Sequence, residues 1–347
     1  MDEHPPILPQ AVDPDLGQLQ VEASRLGRLF RLGYWACVIV VAGLFGFYAQ
    51  RQWQVQQDEF DKSLETNAHL LAGAMQGKLA QYIVLADTLA ASLRREPELL
   101  TQPTALAQRL MQAQRTVPGI AVIRVIDQGG RVLASSLRGS QLVDLRAEPP
   151  VWAALLQARE QQRPVVGPLN QITSGRAWVL PLRMAYPAAG KAPAFWIGLG
   201  LDKRTFDAYW AMMLNDREEF LRPVKDEGFI LARQDGYVLA RWPDVPAARF
   251  RDFYLRPQSG ALVRSLQSHP AQEHSMFSGV VPILNQMRIG YWARVRGLPD
   301  LAVSVSQPRR RLYAAYWQKL WPAGLAVTLL LGTLTLSYTM LRLRMRA

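Results

Sequence analysis

The sequence is poor in cysteine and in lysine. Among 347 residues there is one cysteine, Cys37, so an intrachain disulfide is excluded, and so is any zinc site that needs two or more cysteines. Lysine occurs at six positions, and arginine therefore supplies most of the formal charge of +12. A net charge of this sign favours anionic partners and carries no information about the fold.

Recognisable catalytic motifs are missing as well. Between His269 and His274 the spacing of His and Glu fits neither H-E-x-x-H nor H-x-x-E-H, which favours a loop over a metal site. Gly198-x-Gly200 lacks the third glycine of a dinucleotide site. The sequence shows no Walker A lysine motif, no nucleophile elbow and no nucleic-acid-binding pattern. We therefore expect no enzyme activity, no cofactor, no metal and no nucleic-acid partner.

Two long runs contain no charged residue. They cover residues 33–49 and 320–341, and each is long enough to cross ~30 Å of hydrocarbon as a helix. Aromatic residues at their edges, including Trp35 and Trp321, are typical of membrane interfaces. Arginines precede the first run and follow the second, which predicts that both ends are cytoplasmic and that residues 50–320 are exported. The alternatives are a cleaved signal peptide for the first run and a buried core helix for the second.

Between the two runs, hydrophobic periodicity predicts a long helix. Apolar residues recur at three- or four-residue steps along 50–95, with one gap near Asn67 and no proline. Glu96-Pro97 ends this helix, and a second helix is expected over 103–115. The first 24 residues lack an apolar period and are rich in Pro, Asp, Glu and Gln, which predicts disorder.

One strand–turn–strand phrase occurs twice. Residues 121–136 read AVIRVIDQGGRVLASS, and residues 227–242, which lie 106 positions later, read EGFILARQDGYVLARW. Alternating aliphatic residues on both sides of an Asp/Gly turn predict a β-hairpin in each. Two further strands, 195–201 and 301–307, repeat at the same offset, and each follows another apolar strand. We interpret the chain as two copies of one antiparallel unit, joined by a helix at 202–215.

This organisation resembles the double Cache family of extracytoplasmic sensor domains, which occur on bacterial chemoreceptors, histidine kinases and diguanylate cyclases. The resemblance covers residues 50–320. The phrases that carry it are, in order, VIRVIDQGGRVLASS, PVVGPLNQITSGRAWVLPLRM, FWIGLGLDKRTF, GFILARQDGYVLARWP and RIGYWARVRGLPDLAVSVS. It implies an α+β fold of two tandem PAS-like antiparallel-sheet modules on a long N-terminal helix, flanked by two transmembrane helices.

With this resemblance, the chain divides into eight expected segments. They are a disordered cytoplasmic tail (1–32), transmembrane helix 1 (33–49), a long stalk helix (50–99), a membrane-distal PAS-like module (100–210), a membrane-proximal PAS-like module (211–307), a stalk (308–320), transmembrane helix 2 (321–341) and a cytoplasmic end (342–347). The implied location is the bacterial inner membrane, with residues 50–320 in the periplasm.

The resemblance also implies a small-molecule pocket in the distal module and a transmitting role for the proximal one. The expected function is a membrane-anchored sensor that binds a small anionic molecule, a carboxylate or phosphate, and signals to a cytoplasmic or membrane partner. A homodimer in contact with the lipid bilayer is expected. Two alternatives stay open. Because only about six residues follow the second run, the chain could be the input half of a truncated or split diguanylate cyclase or histidine kinase. It could also be an envelope scaffold that binds no ligand.

Six residues are candidates for ligand contact. Arginine offers a planar fork of donors suited to carboxylate or phosphate, and tryptophan an apolar or stacking wall. The candidates are Arg146, Trp152, Arg176, Trp178, Arg183 and Asp202. The alternatives are a solvated or paired arginine, a core tryptophan and, for Asp202, a helix N-cap. Amino-acid-binding members carry Tyr-x-x-Arg-x-Trp-Tyr where this chain has LVDLRAEPPVWAAL. Only Arg146 and Trp152 match, at a different spacing, which weighs against a free amino acid.

Overall fold

The computed structural model describes residues 14–137, 144–172, 177–215, 226–281 and 284–344. The chain divides into two compact units. One comprises Met1–Glu59 and Leu312–Ala347, and the other comprises Phe60–Arg311.

The described chain contains helices and runs of antiparallel strands, as expected for an α+β protein. The helices are α1 (Pro14–Arg95), α2 (Pro103–Thr116), α3 (Pro149–Gln161), α4 (Lys203–Asn215), α5 (Phe250–Tyr254), α6 (Ala261–Ser268) and α7 (Arg309–Arg344). The strands are β1 (Ile120–Asp127), β2 (Val132–Ser135), β3 (Val165–Val166), β4 (Asn170–Gln171), β5 (Trp178–Tyr186), β6 (Phe195–Asp202), β7 (Gly228–Arg233), β8 (Val238–Trp242), β9 (His274–Val281), β10 (Gln286–Val295) and β11 (Leu298–Pro308). Short 3₁₀ helices lie at Pro97–Thr101, Leu145–Ala147 and Ala247–Arg249.

The described strands form two sheets with the same strand order. In the distal sheet the order is β2-β1-β6-β5-β3, with β4 also paired to β5, and in the proximal sheet it is β8-β7-β11-β10-β9. The register repeats too. Val125 lies opposite Ala134 in the first hairpin, and Leu231 lies opposite Ala240 in the second, 106 residues later in each case. The structure therefore confirms the duplicated antiparallel unit and the joining helix.

Glycine is required at the turn of each hairpin. Gly130 has φ = 84° and Gly236 has φ = 97°, a backbone region that residues with a side chain rarely adopt. A Cβ on Gly130 would lie 2.9 Å from the ring of Trp152, and a Cβ on Gly236 would lie 2.6 Å from the backbone oxygen of Gln258. Each turn is thus pressed against the segment that follows its own hairpin, which explains why both copies keep glycine at this position.

One face of α1 packs against both sheets. Its buried residues recur with helical periodicity, as the sequence predicted, and they belong to one continuous core with apolar residues of the distal and proximal sheets. They are Leu64, Ala68, Leu71, Ala72, Met75, Leu79, Tyr82, Ala86, Leu89, Ala90 and Leu93. The gap in the apolar pattern at Asn67 is a buried polar contact: its amide donates to Glu227, which also accepts from Gln307. The helix ends at Arg95, before Pro97, as expected.

The first helix starts earlier than the sequence suggested. It begins at Pro14, whereas we expected a disordered tail up to residue 32. Proline is tolerated at the first helical position, and residues 15–32 contain many good helix formers, among them Leu, Gln, Glu and Arg. Extending an existing helix also avoids the cost of a new nucleus. Residues 1–13 lie outside the described part of the chain.

The first unit contains both apolar runs of the sequence, residues 33–49 and 320–341. Among the described residues, two helices are long and apolar enough to cross a membrane, Arg28–Arg95 within α1 and the whole of α7. Within this unit the ring of Tyr34 stacks on that of Tyr338 with centroids 4.6 Å apart. Trp53 stacks on Tyr313 at 5.5 Å. Insertion of these helices into a bilayer stays a prediction.

Candidate functional site

A cavity opens on the face of the distal sheet that points away from α1. Side chains alternate between the two faces of a strand, so Ile123 and Val125 of β1 join the core with α1 while Arg124 faces the other way. The cavity has a volume of about 150 Å³. Its wall comprises residues of β1, β5 and β6, of β4 and the residue after it, and of α3 and the segment before it. They are Val122, Arg124, Ile126, Leu145, Glu148, Val151, Asn170, Gln171, Ile172, Val179, Pro181, Leu182, Arg183, Gly198, Leu199 and Gly200.

Two glycines of the central strand leave room for this cavity. Gly198 and Gly200 lie on the cavity face of β6, between β1 and β5. Because glycine has no side chain, the floor of the cavity at these positions is backbone. The Gly-x-Gly pair, which is no dinucleotide fingerprint in the sequence, therefore leaves the middle of this sheet face without side chains.

Arg183 is the most unusual side chain in the wall. Only 6 % of the residue is exposed, and its Nη1 is buried without a hydrogen-bond partner among the described residues. The guanidinium lies over Gly167, where an added Cβ would come within 2.5 Å of Nη1. Burial and the neighbouring charge of Arg233 lower the pKa of Arg183 to about 10, and Glu148 opposes the shift. The guanidinium of Arg183 is therefore still cationic at neutral pH. It is buried, and its Nη1 lacks a hydrogen-bond acceptor among the described residues.

Arg124, Glu148 and Asn170 complete the polar wall. Burial lowers the pKa of Arg124, and the charge of Glu148 partly offsets this. The Oδ1 atom of Asn170 is buried and has no partner within the described ranges. The cavity thus presents two guanidinium groups, one carboxylate and one amide around a small apolar space. Such a site can bind an anion through the arginines and a neighbouring hydroxyl or amine through the amide or the carboxylate.

The structure separates the residues that the sequence proposed as ligand contacts. Of those that it describes, Arg183 lines the cavity. Arg146 lies beside it with 58 % of its side chain exposed and pairs with Asp144 at 2.5 Å. That pairing lowers the pKa of Asp144 to about 2. Arg176 lies outside the described residues.

The two tryptophans and the aspartate make other contacts. Trp152 packs edge-on against Trp196, with centroids 5.9 Å apart, behind the hairpin turn. Trp178 contacts Phe250 of the proximal module at 5.2 Å. Asp202 accepts a 2.8 Å hydrogen bond from the backbone N–H of Arg204 and so caps α4. None of these three side chains is part of the cavity wall around Arg183. Their role as ligand contacts stays a prediction.

Sequence reasoning missed Arg124 and Glu148 as wall residues. A signal for Arg124 was present, since it is the one charged residue inside the apolar phrase AVIRVI. When such a strand is buried, a charge that interrupts it needs a partner or a function. The contribution of Glu148 depends on how the segment before α3 folds over the sheet, and the sequence alone does not show this.

The fold matches solved sensor domains. No family model matches the sequence, and no curated protein does. The extracellular domain of rpHK1S-Z16, described as a histidine kinase, matches with a TM-score of 0.56 and 14% identity over 74% of this chain and 98% of that one. The ligand-binding domain of the Pseudomonas fluorescens chemoreceptor CtaA in complex with L-isoleucine matches with a TM-score of 0.52 and 17% identity over 76% and 98%. Its complex with L-leucine gives 0.51 and 17% over 75% and 99%.

At sequence identities of 14% and 17%, the similarity to these structures establishes a shared fold. The chain has the fold of the Cache-type extracellular ligand-binding domains found on histidine kinases and chemoreceptors. This confirms the double Cache resemblance seen in the sequence.

Proposed function

We propose that this chain is a membrane-anchored extracytoplasmic sensor whose distal module binds a small anionic molecule in the cavity around Arg183. The observation that carries the proposal is the buried, unpartnered Nη1 of Arg183. Leaving a buried cation without a partner costs several kcal/mol of stability. A protein retains such a side chain when a bound ligand offsets that cost. A carboxylate or phosphate supplies the missing acceptors in a forked geometry that arginine matches.

The size of the cavity narrows the class of ligand. A cavity of about 150 Å³ is the size that holds one benzene molecule in other proteins, so the ligand has roughly six non-hydrogen atoms. Lactate, pyruvate, alanine and inorganic phosphate fall in this range. The chemoreceptor CtaA binds L-isoleucine and L-leucine, which are larger than this cavity accommodates in its present shape. We favour a short carboxylate over a bulky amino acid.

The contact between the modules offers a route for the signal. Arg233 of β7 donates from Nη1 to the backbone oxygen of Val166 in β3, and Val165 of β3 pairs with Arg183. The charges of Arg233 and Arg183 repel each other, and this repulsion contributes to the lowered pKa of Arg183. An anion bound at Arg183 would screen the repulsion and favour closer packing of the two modules. A ligand shifts the equilibrium between two conformations only if it binds one of them more favourably than the other.

Membrane anchoring by the apolar helices of α1 and α7 is part of the proposal. It is supported by two candidate spans in the described chain and by the extracellular location of the matched domains. The α1 helix carries both an apolar stretch and the residues that pack on the sheets, so a displacement of the modules acts directly on it. Homodimerisation and a cytoplasmic or membrane partner stay predictions.

A ligand screen tests this function. The full chain in detergent is heated with and without lactate, pyruvate, alanine, leucine or phosphate. A ligand at 100-fold its Kd should add roughly 2.7 kcal/mol to the stability of the folded chain. Arg183→Gln should abolish the response, whereas Arg146→Gln, which removes an exposed arginine of the same module, should preserve it. A response that survives Arg183→Gln would place the ligand elsewhere, and no response to any anion would favour the envelope scaffold.

A further inference from the structure

Three side chains that commonly bind metals meet beside the proximal sheet. Glu65 and His69 lie on α1, and His274 is the first residue of β9. One ligand atom from each lies within 4.8 Å of the others. The imidazole rings of His69 and His274 have centroids 5.1 Å apart. This cluster is separate from the distal cavity, and none of its members lines that cavity.

The spacing of the cluster suits a metal ion. Glu65 and His69 are four residues apart on a helix and therefore point to the same side. Two imidazoles and one carboxylate form a ligand set that zinc accepts, with a fourth position left for water. In a tetrahedral site with bonds of about 2.1 Å, adjacent ligand atoms lie roughly 3.4 Å apart. Both histidines are exposed, so their side chains have room to rotate and shorten the distances between the ligand atoms.

Tyr291 of β10 orients two of the three ligands. Its hydroxyl donates to Glu65 Oε1 at 3.0 Å and lies 2.5 Å from His274 Nδ1. A hydroxyl has one proton, so when Tyr291 donates to Glu65 its oxygen accepts from Nδ1–H of His274. The Nε2 atom of His274 then keeps a free lone pair, which is the form of imidazole that binds a metal. Hydrogen bonds of this kind, made by the part of a ligand that does not face the metal, are typical of protein metal sites.

We propose that Glu65, His69 and His274 bind a divalent first-row transition metal of the Zn²⁺ class, with Tyr291 as a positioning residue. The ion would fasten α1 to β9, the edge strand of the proximal sheet. It would thereby tie the proximal module to the helix on which both modules rest. The sequence suggested no metal site, because His69 and His274 are far apart in the chain and the histidine spacing around His269 fits no metal motif.

Metal binding is tested on the untagged full chain in detergent after treatment with a chelator. Titration calorimetry with Zn²⁺ and visible absorption with Co²⁺ should both give one ion per chain, and Mg²⁺ should not compete. His69→Ala and His274→Ala should each weaken Zn²⁺ binding by more than about 100-fold, since loss of an orienting partner alone costs 10–100-fold. Tyr291→Phe should fall in that lower range. His269→Ala is the matched control and should bind as the unaltered chain does.

Two results would overturn the site. The first is the absence of saturable Zn²⁺ binding. The second is binding that survives both His69→Ala and His274→Ala, or that His269→Ala removes equally. Because His69 and His274 are exposed, the variants should have the melting temperature of the unaltered chain without metal, and a lost signal then reports ligation and not unfolding. His274→Asn, which keeps a polar side chain, provides a second variant for the same comparison.

Discussion

The distal and proximal modules share strand order and register, yet they differ on one face of the sheet. In the distal module Arg183 of β5 lies opposite Gly198 of β6, and both line the cavity. In the proximal module the same place in the sheet is taken by Trp292 of β10, which lies opposite Ser304 of β11. One copy of the unit therefore carries a charged side chain over a glycine floor where the other carries a large indole.

The indole fills the space that is open in the distal copy. Trp292 is fully buried and belongs to a cluster with Leu266 and Phe277. Its Nε1 donates to Ser265 Oγ of α6 at 2.9 Å. The comparison shows how the two copies of a duplicated scaffold can diverge: one module keeps a small polar cavity, and the other fills the same place with a packed indole.

Removing the indole should produce the largest effect. Trp292→Ala deletes a fully buried side chain and leaves a cavity, so the free energy of unfolding should fall by about 3–5 kcal/mol. Urea denaturation of the full chain in detergent, followed by circular dichroism, measures the loss. Trp178→Ala, at a half-buried tryptophan, is the control and should cost clearly less. Equal losses would mean that the proximal core is not specifically packed around Trp292.

The helix that joins the modules carries the second prediction. Asp207 of α4 lies 2.5 Å from Lys203 Nζ, and its Oδ1 is buried without a partner among the described residues. Burial outweighs the attraction of Lys203 and raises the pKa of Asp207 to about 6. The folded chain therefore holds this proton more tightly than the unfolded chain does, and the resulting stability is present in full below pH ~4 and is lost as the pH rises through about 6.

The pH dependence can be isolated with Asp207→Asn, which keeps the shape and cannot titrate. From pH 4 to pH 7 the stability of the unaltered chain, relative to this variant, should fall by roughly 2–3 kcal/mol. Thermal or urea unfolding at several pH values gives the difference directly. Parallel stability curves for the two proteins would show that Asp207 has an ordinary pKa and that the junction is more hydrated than the structure indicates.

The glycine floor of the distal cavity gives the smallest expected effect. A Cβ on Gly200 would lie 2.6 Å from Val122 Cγ1, whereas a Cβ on Gly198 would meet its nearest neighbour, in Ile126, at 3.7 Å. Gly200→Ala should therefore destabilise the chain by about 1–3 kcal/mol, and Gly198→Ala by less than about 1 kcal/mol. Melting temperatures of the two variants provide the comparison. The reverse order would show that Val122 has room to move and that the floor is not tightly packed.

The repeated hairpins and the long helix could be predicted from the sequence because their signals are local. Alternation, turn glycines and helical periodicity gave the strands of both hairpins, the end of α1, and the helices α2 and α4 within a few residues. Even the N-cap role that was one option for Asp202 follows from its place before α4. These features depend on neighbours in the chain, which the sequence shows directly.

The sites could not be predicted in the same way because they depend on which strands are neighbours. Arg124 and Arg183 come together because β1 and β5 both flank β6, and the sequence does not give this order. Trp178 and Arg183 lie on the same strand, five residues apart, and so point to opposite faces. His69 and His274 meet because α1 passes the edge of the proximal sheet. Local sequence motifs carry no information about contacts between residues that are this far apart in the chain.

The claim that the distal cavity is a ligand site is tested most directly by Arg183→Met. Without ligand, replacing an unpaired buried charge with an apolar side chain should leave the full chain more stable, by about 1–3 kcal/mol. With the small carboxylate or phosphate that stabilises the unaltered chain, the variant should show no further gain. A variant that is less stable without ligand and still responds to that anion would show that Arg183 is a structural residue and that the anion binds elsewhere.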